Sequence, residues 1–249
     1  MVIVYSRLSI GFLNHGDTDY TENHGVSFYN SKNSKSFGKI SILAQLNSIM
    51  NYKELKTSAI ILAAGNSSRM GVPKLSLRFD ESKNFLQKAA FEYAEFGCSE
   101  IIIVVNKIGL EFIEKDDLKL PVNSRIILNE FPDLGRFYSL KLGSTALNYT
   151  SCTFLHNIDN PFVNQKLLKT LFDNSELADY IIPSYQGKGG HPVLVSKKIT
   201  QTAKSETDDE LHFKEFLSRF SSIKIEVDDG KILANINDLG DYVNWIMWQ

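Results

Sequence analysis

The segment from Gly65 to Lys74 combines small residues with two positive charges at a spacing that could bind phosphate. It reads GNSSRMGVPK. Small residues let the backbone approach a ligand, and consecutive N–H groups can form a cradle for an anion, to which Arg69 and Lys74 add fixed charge. The segment lacks both the G-K-[ST] end of a Walker A loop and the G-x-G-x-x-G pattern of a dinucleotide loop. It predicts a phosphate-binding loop of another class; the alternative is an ordinary polar turn.

Alternating strand and helix patterns surround this loop, and the apolar run Ser58–Ala64 before it predicts a strand buried on both faces. The other predicted strands are Glu100–Val105, Arg125–Leu128, Ser151–Ile158, Tyr180–Pro183, Pro192–Val195 and a hairpin of Ile223–Val227 with Ile232–Ala234. The predicted helices are Asn84–Gly97, Phe137–Leu147, Asn164–Asp173, Asp209–Phe220 and Leu239–Trp248. This order predicts an α/β fold with a mostly parallel, doubly wound sheet. Ligands bind beyond the carboxyl ends of such strands, which favours the loops after Ala64, Leu128 and Ile158.

The segment Leu62–Lys74 resembles the signature of the MobA-like nucleotidyltransferases. The similarity is greatest to the branch that contains molybdenum-cofactor cytidylyltransferases, whose signature reads L-A-A-G-x-S-x-R-M-G-x-P-K. The resemblance implies a Rossmann-like nucleotidyltransferase fold, of the nucleotide-diphospho-sugar transferase type. It also implies transfer of a nucleotide from a nucleoside triphosphate to a phosphorylated acceptor, with Mg²⁺ and with release of pyrophosphate.

The same resemblance implies roles for residues of the first loop. The residues expected to line the base pocket are Leu62, Ala63 and Ala64. The residues expected to bind the triphosphate are Gly65, Ser67, Ser68 and Arg69. Lys74 would reach the α-phosphate, so Arg69 and Lys74 are the expected catalytic residues.

The segment Asn129–Leu140 is similar to a family block that reads N-P-x-x-x-G-x-x-x-S-L and lies near the base and the phosphates. The resemblance implies nucleotide contacts for Asn129, Gly135 and Ser139. Ser139 falls in the first turn of a predicted helix, where its hydroxyl could face a phosphate or cap the helix.

Two further segments carry the residues expected to bind the metal. Asn157–Pro161 resembles the D-x-P motif at a strand end, which implies that Asp159 binds Mg²⁺; the alternative is a turn cap. Asn235–Tyr242 resembles a block that reads [DN]-I-[DN]-T-P-E-D-[YL], in which Asn237 matches the second ligand position. Mg²⁺ prefers oxygen ligands and retains several waters, which suits one or two protein ligands with phosphate oxygens.

The acceptor side is expected at Gly187–Leu194, which resembles the G-x-x-G-H-P-V-L loop of the cytidylyltransferase branch. Gly190 and His191 would contact the acceptor; the alternative is that His191 only braces the loop. The chain departs from its relatives at two places. Asp238–Asp241 keeps only the last residue of the T-P-E-D pattern, and Ser205–Asp209 stands where those cytidylyltransferases have a Gly-Asp loop.

We expect CTP as the nucleotide, with GTP or another nucleoside triphosphate as alternatives. The expected acceptor is a phosphorylated small molecule, with molybdopterin first. A sugar phosphate, or an acceptor similar to phosphocholine or a phosphonate, is the nearest alternative. A hypothesis of another class is a non-catalytic nucleotide-binding regulatory module, which the weakened last motif motivates. The oligomeric state stays open.

The amino-acid composition limits the classes of partner that the protein is expected to bind. The 249 residues include 27 Lys and Arg against 29 Asp and Glu, a formal charge of −2. This balance gives no broad basic surface for nucleic acid or an anionic membrane. The longest apolar runs, Ala59–Ala64 and Ile101–Val105, are far shorter than the ~20 residues that cross a bilayer, so we expect a cytoplasmic protein. Cys98 and Cys152 are expected as buried thiols and His156 as a core residue.

The first 56 residues differ from the rest of the chain. Between Asn14 and Lys39, 11 of 26 residues are Asn, Ser or Gly, without an apolar period. We therefore predict a poorly ordered extension over residues 1–56, with a short helix at Ile40–Met50, and a nucleotidyltransferase domain over residues 57–249. Met50 as the true start is an alternative.

Overall fold

The first strand is buried along its whole length, as its apolar sequence predicts. The computed structural model describes residues 56–148 and 150–247, and in it all seven residues of β1 (Thr57–Ala63) are buried. β1 has a parallel neighbour on each side. A strand in this position is covered by helices on both faces of the sheet, which accounts for its continuous apolar run.

The sheet has eight described strands and is mostly parallel. The other strands are β2 (Glu100–Val105), β3 (Ser124–Leu128), β4 (Cys152–Asn157), β5 (Tyr180–Tyr185), β6 (Lys188–Gly189), β7 (Val193–Ser196) and β8 (Ser222–Glu226). Their order is β3-β2-β1-β4-β7-β5-β6, and β8 pairs with β5. β3, β2, β1 and β4 are parallel, as are β5 and β8, whereas β7 runs antiparallel to both of its neighbours.

Helices cover both faces of the sheet. The described α-helices are α1 (Phe85–Phe96), α2 (Lys107–Lys115), α3 (Gly135–Ala146), α4 (Gln165–Asp173), α5 (Lys197–Ser205), α6 (Phe213–Ser218) and α7 (Leu239–Tyr242). Along β1, Ile61 joins the core cluster that includes α1 and α4, and Ile60 joins the cluster that includes α3, α5 and α6. The period of two in a strand thus divides its apolar side chains between the two cores.

Local signals set the ends of the principal helices. Asn84 caps α1 in a capping box with Gln87, and Gly97 ends this helix in the left-handed conformation at φ 94°. Asn164 caps α4 through the N–H of Leu167. These caps confirm the predicted helices at Asn84–Gly97 and Asn164–Asp173 to within a residue.

Several predicted elements near the C-terminus were wrong. The expected hairpin does not form, because β8 pairs with β5 and Gly230–Leu233 is a 3-10 helix. The helix expected at Asp209–Phe220 spans only Phe213–Ser218, since His212 caps it through the N–H of Lys214. The terminal helix ends at Tyr242 and continues as a π turn over Val243–Met247.

Helices α2 and α5 were absent from the sequence prediction. α2 contains Gly109, whose low helix propensity weakens the pattern, but Asn106 caps the helix through the Gly109 N–H. The predicted N-terminal extension and its helix at Ile40–Met50 lie outside the described residues. Within the described part of the chain, no helix has both the length and the apolar character needed to cross a membrane.

Gly143 sets how closely α3 approaches the sheet. A Cβ atom at this position would lie 2.7 Å from Ile60 Cγ2 and 3.3 Å from Val104 Cγ2. Both atoms are branch methyls of buried strand residues, so the helix must shift to make room. The glycine therefore permits the close packing of the C-terminal half of α3 against the sheet.

We expect Gly143→Ala to lower the free energy of unfolding by about 1–3 kcal/mol, because overpacking outweighs the gain in helix propensity. Urea denaturation measures the change. Thr145→Ala, at an exposed position of the same helix, is the matched control and should stay within about 0.5 kcal/mol of the wild type. A Gly143→Ala protein as stable as the wild type would contradict the packing argument.

Candidate functional site

A cleft of about 470 Å³ opens at the carboxyl ends of β1 and β4, beside the N-terminus of α3. This is the edge of the sheet at which α/β proteins bind ligands. The residues that line the cleft are Leu62, Ala64, Gly65, Ser67, Arg69, Lys74, Pro132, Gly135, Arg136, Ser139, Asn157, Ile158, Asp159, His191, Asn235 and Asn237. Three cationic side chains and one carboxylate are among them.

The Gly65–Lys74 loop is organised by Ser67. Its hydroxyl accepts the N–H of Lys74 at 3.2 Å, and its carbonyl accepts the N–H of Met70 at 2.9 Å. Ser67 adopts the left-handed conformation at φ 49°. These bonds fold the loop back on itself, so that Arg69 and Lys74 both line the cleft.

Asn106 holds the start of the Gly65–Lys74 loop in place through its side chain. It is buried after β2, and its side-chain amide donates to the carbonyls of Ala64 and Gly65 at 3.2 and 3.3 Å. Its carbonyl oxygen accepts the N–H of Gly109. One side chain thus ties the start of the loop to the start of α2.

Lys74 joins the first loop to the last segment of the fold. Its ammonium donates to Asn237 Oδ1 at 2.7 Å and lies 3.9 Å from Asp159 Oδ2. Burial lowers the pKa of Lys74, the Asp159 carboxylate opposes this shift, and the Arg69 charge adds to it. The Lys74 ammonium thus lies between the side-chain oxygens of Asn237 and Asp159.

The residues that follow β4 hydrogen-bond to the segment that carries Asn237 and hold it in place. The Asp159 carbonyl accepts the N–H of Ile236 at 2.9 Å, and the Asn160 amide donates to the carbonyl of Ile232 at 2.8 Å. Asp241 accepts the N–H of Asn237 at 2.9 Å. Asp159 and Asn237 therefore reach the cleft from segments that are pinned by backbone hydrogen bonds.

The oxygen atoms at this point fit a hard divalent cation. Asp159 Oδ1 is buried without a hydrogen-bond partner among the described residues, which leaves one carboxylate oxygen open to a cation. Asn237 Oδ1 already faces a positive charge, the Lys74 ammonium. In residues 56–148 and 150–247, no three or more His, Cys, Asp or Glu side chains are grouped so that they could hold a metal ion, so substrate oxygens and water would complete the coordination.

The opposite wall of the cleft is the start of α3. Ser139 is buried, and its hydroxyl accepts from the amide of Asn129 at 3.0 Å. Asn129 is fully buried, and its carbonyl oxygen accepts the N–H of Phe131 at 2.8 Å. Asn129 therefore lies behind Ser139 and supports the wall without lining the cleft.

His191 lies at a third side of the cleft. Its Nε2 is 3.1 Å from the amide of Asn157, and its backbone N–H donates to the carbonyl of Ile232. Burial lowers the pKa of His191; Asp159 opposes this shift, and the Arg136 charge adds to it. Gly190 does not line the cleft, because it packs so closely on Ile232 that a Cβ atom would lie 2.4 Å from the carbonyl oxygen.

The structure places eleven of the fifteen residues expected at the site on this one cleft. Ala63 and Ser68 instead line a neighbouring pocket of about 260 Å³ beneath the loop, and Asn129 and Gly190 are packed behind the cleft. Five lining residues were missed by sequence reasoning: Pro132, Arg136, Asn157, Ile158 and Asn235. Each lies within three residues of a predicted one, which is the signal that could have found them.

A mostly parallel α/β sheet in which a glycine-containing loop with two cations shares a cleft with a strand-end carboxylate is the arrangement expected of a nucleotidyltransferase. The family model of the MobA-like NTP transferase domain matches residues 59–220, and the chain belongs to that family. Molybdenum cofactor cytidylyltransferase from Escherichia coli is 27% identical over 186 residues, which are 74% of this chain and 92% of the relative.

Solved structures agree on the fold. The structure of Rv0371c from Mycobacterium tuberculosis is 18% identical, with a TM-score of 0.66 over 78% of this chain and 98% of that one. A complex of Rv0371c with manganese is 17% identical, with a TM-score of 0.61 over 78% of this chain and 100% of that one. The predicted α/β nucleotidyltransferase fold is confirmed.

His156 lies beneath the cleft, and it is the core residue that the sequence predicted. It is fully buried in β4, where its Nδ1 lies 3.0 Å from the hydroxyl of Tyr93. Burial lowers the pKa of His156 to about 3, and the His191 charge adds to the shift. Burial also raises the pKa of the free thiols Cys98 and Cys152 to about 12, so both are inert.

The low pKa of His156 predicts a loss of stability in acid. Between its folded pKa of about 3 and its ordinary value of about 6.5, the unfolded chain binds a proton at this residue that the folded chain does not. The free energy of unfolding therefore falls as pH falls through this window, by about 1.4 kcal/mol per pH unit from this residue. Glutamine cannot take up the proton, so urea denaturation of His156→Gln at several pH values should show a slope smaller by that amount.

Thr145→Ala, which changes an exposed residue without a titratable group, is the control for this experiment and should leave the slope unchanged. Equal slopes for His156→Gln and the wild type would show that His156 does not stay neutral in the folded protein.

Proposed function

We propose that this nucleotidyltransferase is Mg²⁺-dependent and moves CMP from CTP to a phosphorylated small molecule, with release of pyrophosphate. Molybdopterin is the first candidate for the acceptor. The observation that carries the proposal is the contact of Lys74 with Asn237 and its approach to Asp159, in the cleft that Arg69 also lines. Phosphate-binding cations and oxygen ligands for a metal thus face one space.

The reaction brings two anions together, so positioning and neutralisation of charge carry most of the catalysis. The backbone of the Gly65–Lys74 loop and Arg69 hold the triphosphate. Lys74 places its ammonium at the α-phosphate, where negative charge develops when the acceptor oxygen attacks and pyrophosphate leaves. Asp159 and Asn237 would hold Mg²⁺, which supplies further neutralisation of the phosphate oxygens.

The Asn235–Tyr242 segment still orients Asn237, although it departs from the family pattern at Asp238–Gly240. Asp241, the residue retained from the family pattern, accepts the N–H of Asn237, and Asp238 accepts the N–H of Asp241 at 3.0 Å. The contacts that orient Asn237 are therefore present without the Thr-Pro-Glu residues of relatives. This observation favours an active enzyme over a non-catalytic nucleotide-binding module.

The choice of CTP and molybdopterin rests on the Escherichia coli relative, a molybdenum cofactor cytidylyltransferase. A panel experiment tests it: the purified chain is incubated with Mg²⁺, each of CTP, GTP, ATP and UTP, and each acceptor in turn, and pyrophosphate release is measured. The acceptors are molybdopterin, sugar phosphates, phosphocholine and phosphonates. Release with CTP and molybdopterin alone supports the proposal, and release with another pair replaces the substrates named here.

Lys74→Ala should lower turnover by about 10²–10³-fold, because it removes a cation that stabilises charge developing in the transition state. The measurement is pyrophosphate release at saturating substrates. Lys119→Ala removes a lysine whose side chain is 76% exposed and should leave turnover unchanged. Unchanged turnover in Lys74→Ala would remove this residue from the mechanism.

Asp159→Asn should weaken divalent metal binding about ten-fold or more, because it neutralises the one carboxylate that lines the cleft. Binding of Mn²⁺ to the CTP-loaded protein, followed by electron paramagnetic resonance, gives the dissociation constant directly. Asp228→Asn, at a side chain that is 96% exposed, is the control. Equal Mn²⁺ affinity in Asp159→Asn and the wild type would exclude Asp159 as a ligand.

A further inference from the structure

Arg136 is a cation that lines the cleft, and the proposed function assigns it no role. It lies in the first turn of α3, directly after Gly135. In the described part of the chain its guanidinium makes no ion pair and no hydrogen bond, and five N–H donors are therefore available to a ligand. An arginine in this state is suited to bidentate binding of a phosphate.

Phe213 holds this guanidinium in place. The guanidinium carbon lies 5.3 Å from the centroid of the Phe213 ring, within the range of a cation–π contact. Phe213 begins α6, which is anchored to α3 because Phe216 packs on Phe137 with ring centroids 4.8 Å apart. An aromatic partner orients the arginine but does not neutralise its charge, as a carboxylate would.

The surroundings of Arg136 favour an anion. No acidic residue lies in the first turn of α3 and no side chain caps this helix, so the positive end of the helix dipole adds to the arginine charge. Arg136 also lines the same cleft as His191, a residue expected to bind the acceptor.

A second anion enters the cleft in the proposed reaction. A phosphate monoester brings about −1.5 to −2 charges at neutral pH. In the proposed function, Arg69 and Lys74 of the Gly65–Lys74 loop both bind the triphosphate. Neither is then available to neutralise the charge of the acceptor.

We propose that Arg136 binds the phosphate of the acceptor, with Phe213 as the residue that positions it. This inference rests on the proposed function, because it assumes that a nucleoside triphosphate occupies the Gly65–Lys74 loop. Phe213 does not line the cleft, so its part is to orient the guanidinium.

The test uses the full chain with the nucleotide site filled. Calorimetry first measures the dissociation constant of α,β-methylene-CTP in the presence of Mg²⁺. Inorganic phosphate is then titrated into the complex at saturating analogue, and ³¹P NMR gives its dissociation constant. The saturating analogue blocks the triphosphate site, so phosphate reports on the remaining anion site.

Arg136→Gln should weaken phosphate binding about ten-fold or more, because it removes a charge-assisted hydrogen-bond pair, and should leave the affinity for the CTP analogue within about two-fold. Arg136→Lys should recover part of the loss, because it keeps the charge without the fork of donors. Arg219→Gln is the matched control. It also removes an arginine that faces a phenylalanine of α6, but this arginine is paired with Glu206 and does not line the cleft.

Phe213→Leu distinguishes positioning from a merely structural role. It should weaken phosphate binding in the wild-type background and have no further effect in Arg136→Gln, because there is then no guanidinium to orient. Equal losses in both backgrounds would show that Phe213 acts through the fold and would overturn its assigned role.

The outcomes separate this inference from the proposed function. A wild-type chain that fails to bind the CTP analogue overturns the proposed function itself. Normal binding of the analogue with equal phosphate affinity in Arg136→Gln and the wild type overturns the inference alone. If Arg136→Gln weakens the CTP analogue as much as phosphate, Arg136 belongs to the triphosphate and its assignment to the acceptor is wrong.

Discussion

The site depends on the half-buried ammonium of Lys74, which joins the first loop of the domain to its last segment. Lys74 follows the first strand, whereas Asn237 lies near the C-terminus, and the 2.7 Å bond between them closes the cleft. Burying a lysine is costly unless oxygen atoms surround it, and Asp159 and Asn237 provide them. The same oxygens are of the kind that a divalent cation prefers, so the groups that face Lys74 are also the ones proposed to hold the metal.

The buried polar residues behind the cleft position the segments that form it. Asn106, Asn129 and Asn160 are buried amides at the ends of strands or directly after them, and each is hydrogen-bonded to a backbone or hydroxyl group of a cleft-forming segment. Buried amides cost free energy unless their donors and acceptors are paired, so each one specifies the position of the loop it touches. Asn129, for which the resemblance to the family implies a nucleotide contact, is fully buried in this supporting position, and the contact itself stays a prediction.

Sequence patterns predicted the part of the fold that carries the strongest periodic signals. The buried strands β1, β2 and β4 and the capped helices α1 and α4 appear within about two residues of their expected bounds, because long apolar runs and caps are local properties. The predicted hairpin of β8 was wrong. β8 instead pairs with β5, a strand more than thirty residues away in the sequence, and such long-range pairing leaves no local sequence pattern. The loop motifs identified residues such as Arg69 and Asp159. They missed Arg136, although it directly follows Gly135, because the family block specifies no residue type at that position.

In the proposed reaction, the two anionic substrates are bound by cations from separate elements of the fold. Arg69 and Lys74 come from one loop, whereas Arg136 comes from a helix that packs on the sheet through Phe137. A cation on a separate element can bind a second anion without drawing on the charge that holds the first. Two like-charged substrates can then approach each other, because each is neutralised from its own side before the new bond forms.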